Sequence, residues 1–163
     1  MSISVLPICH KRLLIRVKTD RIMRFLPLAF QLQYKQPIMP AKYTLKIVTD
    51  FASAHTLRDY PGACSRMHGH NWKVELELES SQLDAIGMAV DFKAMKKATN
   101  DVCDRLDHRY LNEIAPFTEI NPTAENMAAW IFHEVGKKLN TDTLHVSSLT
   151  LWETERACVT YSE

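Results

Sequence analysis

Alternation of apolar and polar residues predicts two β-strands early in the regular part of the chain. Tyr43, Leu45 and Ile47 alternate with threonine and lysine, a period of two that predicts a half-buried strand running to about Ser53. A second alternating run covers residues 74–78, where valine and leucine are separated by glutamate. Both strands are therefore expected to place one face on a core and the other in water.

Two later segments show helical spacing instead. Between Phe92 and Leu106 the apolar residues recur at intervals of three and four, which places them on one face of a helix. A second helix is predicted to begin after Thr123, a residue type favoured at the N-cap, and to bury an apolar stripe that ends at Leu139.

Two more strand-like runs follow, Val146–Thr154 and Arg156–Tyr161. The order strand, strand, helix, helix, strand, strand (ββααββ) predicts an α+β fold: a four-stranded antiparallel sheet with two helices on one face. Because such a sheet has two open edges, which proteins usually cover or pair, we expect self-association through those edges.

Charge divides the chain near Met39. The 163 residues carry a formal net charge of +1, which hides two unlike pieces. Residues 1–39 hold seven basic residues and one acidic residue, a net +6, whereas residues 40–163 hold the other 13 bases and 18 acids, a net −5. We therefore expect a tetrahydropterin synthase-like size of domain, about 120 residues, at 40–163 and a basic N-terminal extension at 1–39 that is not part of the fold.

Composition narrows the possible partners and compartments. The extension lacks the density of basic residues and the interleaved aromatics of nucleic-acid-binding arms, so no nucleic-acid partner is expected. Its arginine bias also resembles an organellar transit peptide, an alternative that the sequence leaves open. No apolar run approaches the roughly 18 residues of a membrane-spanning helix, so no membrane partner is expected. The four cysteines form no CxxC pair, which favours a cytoplasmic setting.

A histidine cluster carries the strongest chemical signal. His68 and His70 are two residues apart, so in a strand their side chains lie on the same face. If the first two strands form a hairpin through residues 57–67, His55 lies beside them. Three imidazoles suit zinc and leave a fourth coordination position open, as in catalytic sites. Cys64 is either a fourth ligand, which would close the site, or a nucleophile or base beside the metal.

Two other positions are chemical candidates. Asp107 and His108 follow the first predicted helix, where a loop would let both turn toward a third group, and a Cys–His–Asp arrangement would activate a thiol. The alternative is a pair that merely caps a helix end. Glu153 lies in an apolar strand, where it either faces solvent or accepts hydrogen bonds from the paired N–H groups of a heterocycle.

Six blocks, in order, resemble the 6-pyruvoyl-tetrahydropterin synthase family. The resemblance runs from about residue 42 to the C-terminus. Three residues separate Cys64 from His68, which is similar to the bacterial 6-carboxy-5,6,7,8-tetrahydropterin synthase branch of queuosine biosynthesis. The blocks are Phe51–Leu57, Cys64–His70, Val90–Phe92, Leu106–Asn112, Asn121–Asn126 and Glu153-Thr154.

The resemblance implies a fold, an assembly and a reaction. The fold is the tunnelling fold, in which trimers join their sheets edge to edge and stack in pairs as a homohexamer. The implied enzyme is a zinc-dependent lyase that converts 7,8-dihydroneopterin triphosphate to 6-carboxy-5,6,7,8-tetrahydropterin, with release of acetaldehyde and triphosphate. The alternatives are 6-pyruvoyl-tetrahydropterin synthase activity, which stops after triphosphate elimination, and a pterin- or zinc-binding protein without turnover.

The resemblance also implies roles for nine residues. The zinc ligands would be His55, His68 and His70. The proton-transfer group would be Cys64, Asp107 and His108. The pterin would be bound by Glu153, Thr123 and Glu125. Ala124 departs from the family pattern, since many relatives have a second hydroxyl residue there, so one pterin contact is missing or replaced.

Overall fold

The computed structural model describes residues 41–163, and the predicted extension lies outside them. Described by their order along the chain, the elements are five strands and two helices. They are β1 (Tyr43–His55), β2 (His68–Ser80), α1 (Phe92–Cys103), β3 (Arg109–Tyr110), α2 (Ala124–Leu139), β4 (Leu144–Thr154) and β5 (Ala157–Tyr161).

The strands form one sheet in the order β3-β1-β2-β4-β5. The four longer strands pair antiparallel with their neighbours, so the α+β class is confirmed. The predicted number of four strands was wrong by one, because β3 adds to the free edge of β1 in parallel, with Arg109 opposite Ser53 and Tyr110 opposite Ala54. A strand of two residues is too short to leave a period-two pattern in the sequence.

Both helices pack on the same face of the sheet. The alternation in β1 and β2 places one set of side chains in the core and the other set on the outer face. Helix α1 ends at Cys103, earlier than predicted, although Leu106 is still buried in the turn that follows. No helix within residues 41–163 is long and apolar enough to cross a bilayer. The largest fully buried side chains include Trp72, Phe117, Leu76, Met95, Met127, Ile131 and Leu149.

The β1–β2 hairpin sets the position of the histidines. Strand β1 extends two residues beyond the predicted end, and β2 begins at His68, so the paired register runs to the very ends of both strands. In that register His55 is opposite His68, and His70 is opposite Ser53. The hairpin therefore brings all three histidines to one end of the sheet, as the spacing had predicted.

Candidate metal centre

Three imidazoles and one carboxylate converge at this end of the sheet. His55, His68, His70 and Glu153 each offer one ligand atom, and the four atoms lie within 4.8 Å of one another. His55 comes from the last position of β1, His68 and His70 from the start of β2, and Glu153 from β4, the next strand across. Imidazole nitrogen and carboxylate oxygen are donors that zinc and related transition metals accept.

Backbone carbonyls orient two of the imidazoles. His55 Nδ1 donates to the carbonyl oxygen of Pro122 at 2.8 Å, and His68 Nδ1 donates to that of Arg66 at 2.8 Å. Because a carbonyl oxygen can only accept, both Nδ1 atoms carry the proton and both Nε2 atoms keep a free lone pair. A hydrogen bond from the second ring nitrogen is the usual arrangement for a metal-binding histidine.

The two free lone pairs face each other. His55 Nε2 lies 3.0 Å from His68 Nε2, and neither atom has a proton to share in this tautomeric state. Two ligand atoms on a tetrahedral ion with bonds of about 2.0–2.1 Å would lie about 3.3 Å apart, close to this separation. The arrangement therefore fits a cation better than it fits a hydrogen bond.

His70 and Glu153 complete the group. His70 Nε2 is buried and has no hydrogen-bond partner among the described residues. Glu153 Oε1 is 3.3 Å from it and 3.9 Å from His55 Nε2, but the geometry at His70 is that of two neighbouring groups rather than a hydrogen bond. An orphaned ring nitrogen beside a carboxylate is the second feature that a bound cation would satisfy.

Burial keeps these histidines neutral. It lowers the pKa of His55 and of His70 below the usual value of histidine, and the nearby imidazoles add to the effect. The Glu153 carboxylate acts in the opposite direction on the pKa of both groups, but more weakly than burial. Neutral imidazole is the form that binds a metal, so the site is prepared for one near neutral pH.

A buried tryptophan forms the wall behind the cluster. Trp72 has no exposed surface, and its ring meets those of His55 and His70 edge-on at centroid distances of 5.3 and 5.0 Å. Its Nε1 and the Ser53 hydroxyl are buried without a hydrogen-bond partner within residues 41–163. The sequence reasoning missed Trp72, although it lies two residues after His70 and therefore on the same face of β2.

The structure places Cys64 in the loop between β1 and β2. It lies in a short 3-10 turn, Ala63–Ser65, and is partly buried. Its carbonyl oxygen accepts a hydrogen bond from the Leu57 amide at 2.9 Å, which ties the turn to the segment after His55. Its sulfur is not among the four atoms of the metal cluster.

Asp107 and His108 form a second group, at the outer edge of β1. Asp107 Oδ1 accepts from the Ala52 amide at 2.8 Å, and the His108 amide donates to the Ala52 carbonyl. Asp107 Oδ2 accepts from His108 Nδ1 at 2.7 Å. The Ala52 amide, and secondarily His108, hold the pKa of Asp107 below its usual range, so it stays ionised.

The loop that carries this pair is bent at His108. Its φ of 53° lies in the left-handed region, which is uncommon for a residue with a side chain. The bend lets adjacent residues bind each other, and it leaves the imidazole exposed. Within residues 41–163 no hydrogen bond joins Cys64 to Asp107 or His108, so the predicted proton-transfer group is not assembled within the described part of this chain.

An open groove connects the two groups. Its volume is about 590 Å³, and it lies over the ends of β1, β2 and β3. His70 lines it on one side and His108 and Tyr110 on the other. A ligand in this groove would touch both the metal cluster and the Asp107–His108 loop.

The two other predicted substrate residues lie at the start of α2. Thr123 is the N-cap, as predicted, and its hydroxyl accepts from the Asn126 amide at 3.2 Å. Glu125 is exposed in the first turn, where a carboxylate is favourable for the helix dipole. Their proposed contacts with a pterin stay predictions.

These features define a class: an α+β protein whose antiparallel sheet carries a three-histidine, one-carboxylate cluster at one end. The sequence pattern described as 6-pyruvoyl tetrahydropterin synthase matches residues 44–163. The chain belongs to the 6-pyruvoyl tetrahydropterin synthase family.

Individual relatives agree with this assignment. The dihydroneopterin monophosphate aldolase of Pyrococcus furiosus is 33% identical over 115 residues, which cover 71% of this chain and 91% of that protein. The 6-carboxy-5,6,7,8-tetrahydropterin synthase of Bacillus subtilis is 32% identical over 113 residues, 66% of this chain and 75% of that protein. The structure of Caenorhabditis elegans 6-pyruvoyl tetrahydropterin synthase superposes with a TM-score of 0.68 at 26% identity, covering 76% of this chain and 96% of that one.

Proposed function

We propose that this protein is a zinc-dependent lyase that converts 7,8-dihydroneopterin triphosphate to 6-carboxy-5,6,7,8-tetrahydropterin, releasing acetaldehyde and triphosphate. Family membership supports pterin chemistry, and relatives such as the Bacillus subtilis protein bear the name of this reaction. In that role the protein would serve queuosine biosynthesis, as the resemblance implies. The free thiols at Cys64, Cys103 and Cys158 fit a reducing compartment, and we place the reaction in the cytoplasm.

The convergence of the three Nε2 atoms is the observation that carries the proposal. His55, His68 and His70 would hold the zinc, and the carbonyls of Pro122 and Arg66 fix two of the rings with their lone pairs inward. When bound, zinc supplies Lewis acidity that lowers the pKa of a substrate hydroxyl and stabilises negative charge developing on its oxygen. Trp72 limits access of water from behind the cluster.

Glu153 would anchor the pterin next to the metal. A carboxylate can accept two N–H donors side by side, which is the pattern that the edge of a pterin ring presents. Because Glu153 Oε1 lies 3.3 Å from His70 Nε2, a ring held by this carboxylate would extend from the metal cluster. Thr123 and Glu125 are proposed as supporting contacts.

Cys64, Asp107 and His108 would move the protons. We assign removal of a carbon-bound proton to the Cys64 thiolate, and return of protons to His108. The ionised Asp107 accepts from His108 Nδ1, which orients the ring with Nε2 directed away from the carboxylate and favours its protonated form. The groove shared by His70 and His108 gives the substrate access to both groups.

We further propose that residues 40–163 form the functional domain and that it self-associates, as trimers and hexamers. Among the described residues the sheet ends in β3 on one side and β5 on the other, and neither strand has a second neighbour. Exposed strand edges of this kind are sites at which another copy can pair. Light scattering coupled to gel filtration measures the mass of the assembly directly.

Product analysis tests the proposed reaction. The purified protein is incubated with 7,8-dihydroneopterin triphosphate, and acetaldehyde, triphosphate and the pterin product are each quantified. We expect acetaldehyde and triphosphate in equal amounts, and loss of both in Cys64→Ala with zinc content retained. Triphosphate without acetaldehyde would instead indicate 6-pyruvoyl-tetrahydropterin synthase activity.

A second candidate is aldol cleavage of a dihydroneopterin phosphate. It is favoured by the Pyrococcus furiosus relative, which matches 71% of this chain and is named as a dihydroneopterin monophosphate aldolase. Retro-aldol cleavage of the pterin side chain would leave the phosphate on a two-carbon aldehyde and release no acetaldehyde. The same product analysis with dihydroneopterin monophosphate separates the two reactions.

A further inference from the structure

The segment immediately after His55 is held by two asparagine side chains. Asn112 accepts from the Thr56 amide at 2.9 Å and donates to the Thr56 carbonyl at 2.8 Å. Asn121 does the same to Arg58, with distances of 2.8 and 2.9 Å. Alternate residues of an extended chain direct their amide and carbonyl to the same side, so the two asparagines replace a neighbouring strand where β1 has ended.

Asn121 differs from Asn112 because it also fixes the residue that follows it. Its own carbonyl accepts from the Thr123 amide and from Asn126 Nδ2, both at 2.8 Å. Between Asn121 and Thr123 lies Pro122, whose φ is fixed by its ring. The Pro122 carbonyl is thereby fixed relative to Arg58 on one side and to α2 on the other.

That carbonyl is the acceptor for His55 Nδ1. His55 is almost fully buried, and no other acceptor contacts its Nδ1 among the described residues. The Asn121–Arg58 pair and the Pro122–His55 bond therefore close a loop that runs from residue 58 back to residue 55. A shift of residue 121 would move the carbonyl, and the imidazole would lose the partner that directs its Nε2 into the cluster.

We propose that Asn121 is a positioning residue for the metal site: by clamping Arg58, it holds the Pro122 carbonyl against His55 and so sets the affinity of the cluster for its metal. This inference rests on the proposed function in requiring that the cluster binds zinc. Loss of an outer partner of a metal-binding histidine commonly weakens metal binding by about 10-fold to 100-fold. We expect a loss at the lower end of this range, because His55 itself remains.

The loop has a second tether, which makes the substitution testable. Arg58 Nη2 donates to the carbonyls of Phe117 and Ile120, at 2.9 and 2.6 Å. These bonds keep the loop near its place when the Asn121 side chain is removed. Asn121→Ala should therefore fold, with the Pro122 carbonyl less well fixed rather than absent.

The experiment measures the zinc dissociation constant of the full-length protein by competition with a chromophoric chelator. The variants are Asn121→Ala and Asn121→Asp, the second of which keeps the acceptor for the Arg58 amide but cannot donate to its carbonyl. The matched control is Asn140→Ala, at the opposite end of α2, where the side chain accepts from the Val146 amide at 2.8 Å. The thermal unfolding midpoint of each metal-free protein is measured in parallel.

We expect Asn121→Ala to bind zinc about 10-fold more weakly, Asn121→Asp to change in the same direction by less, and Asn140→Ala to keep the parent affinity. A merely structural role would lower the unfolding midpoints of Asn121→Ala and Asn140→Ala and leave both zinc affinities unchanged, which overturns the inference. If Asn121→Ala does not fold, an unchanged affinity in Asn121→Asp overturns it. A parent protein that binds no zinc overturns the metal site itself, and this inference with it.

Discussion

Replacing His68 by alanine separates the metal site from the stability of the fold. In the metal-free protein the imidazole makes one hydrogen bond, to the Arg66 carbonyl in an exposed position, worth about 0.5–1.5 kcal/mol. The same ring directs a lone pair at His55 Nε2 from 3.0 Å, and removing it relieves that repulsion. The two effects oppose each other, so we expect the free energy of unfolding of metal-free His68→Ala to lie within about 1 kcal/mol of the parent.

The same substitution should remove most of the stabilisation by zinc. At a free zinc concentration 100 times its dissociation constant, the parent gains about 2.7 kcal/mol, or about 10 °C in unfolding midpoint for a domain of this size. Structural zinc sites with four ligands gain about 10–16 kcal/mol, so one ligand contributes about 3 kcal/mol and its loss weakens binding about 100-fold. At the same zinc concentration the variant would then gain only about 0.4 kcal/mol, less than about 2 °C.

Differential scanning fluorimetry with and without zinc measures both quantities. The matched control is His145→Ala, since His145 is a histidine of the same sheet, on β4, whose nearest acid is Glu79 at 3.7 Å rather than the cluster. The control should keep the full zinc-dependent shift. The reasoning is refuted if metal-free His68→Ala loses more than about 2 kcal/mol, or if its zinc-dependent shift equals that of the parent.

Three further predictions concern pH, thiol reactivity and the N-terminal segment. Burial lowers the pKa of His55 and of His70 in the folded state, so the unfolded chain binds more protons below about pH 6.5; the metal-free protein should lose stability from pH 7 to pH 5, and a urea midpoint that stays level or rises over this range would contradict the pKa shifts. Burial raises the pKa of Cys103 to about 12, so peptide-resolved alkylation at pH 8 should modify exposed Cys158 long before Cys103; equal rates would show that the core around Cys103 opens. A protein that begins at Met39 should retain the activity and assembly of the full chain, because the family pattern covers residues 44–163; loss of activity in a folded, zinc-loaded truncated protein would assign residues 1–39 a role in the reaction.

The sequence could predict the long strands and the histidines because both follow local spacing. Alternation in β1 and β2 placed Ile47 and Leu76 in the core, where the structure has them. The interval between His68 and His70 predicted a shared face, and the hairpin brought His55 to them. In each case the pattern repeats within a few residues, and burial of one face of a sheet enforces it.

Contacts between distant residues could not be predicted in this way. Strand β3 forms because the turn after α1 lies against Ala52 through Asp107, 55 residues away in sequence. The pairing of Asn121 with Arg58 spans 63 residues. A single asparagine in a loop has no periodic signal, so its role becomes visible only when the fold shows which backbone groups it meets.

The central claim, that the three-histidine cluster holds the zinc of a pterin lyase, is tested most directly by the metal dependence of acetaldehyde formation. The full-length protein is assayed with 7,8-dihydroneopterin triphosphate as purified, after removal of metal by a chelator, and after zinc is restored. We predict that acetaldehyde release disappears with the metal and returns with zinc in the parent, but does not return in His68→Ala at the same zinc concentration. Acetaldehyde release that persists in the metal-free protein, or full recovery in His68→Ala, would contradict the claim.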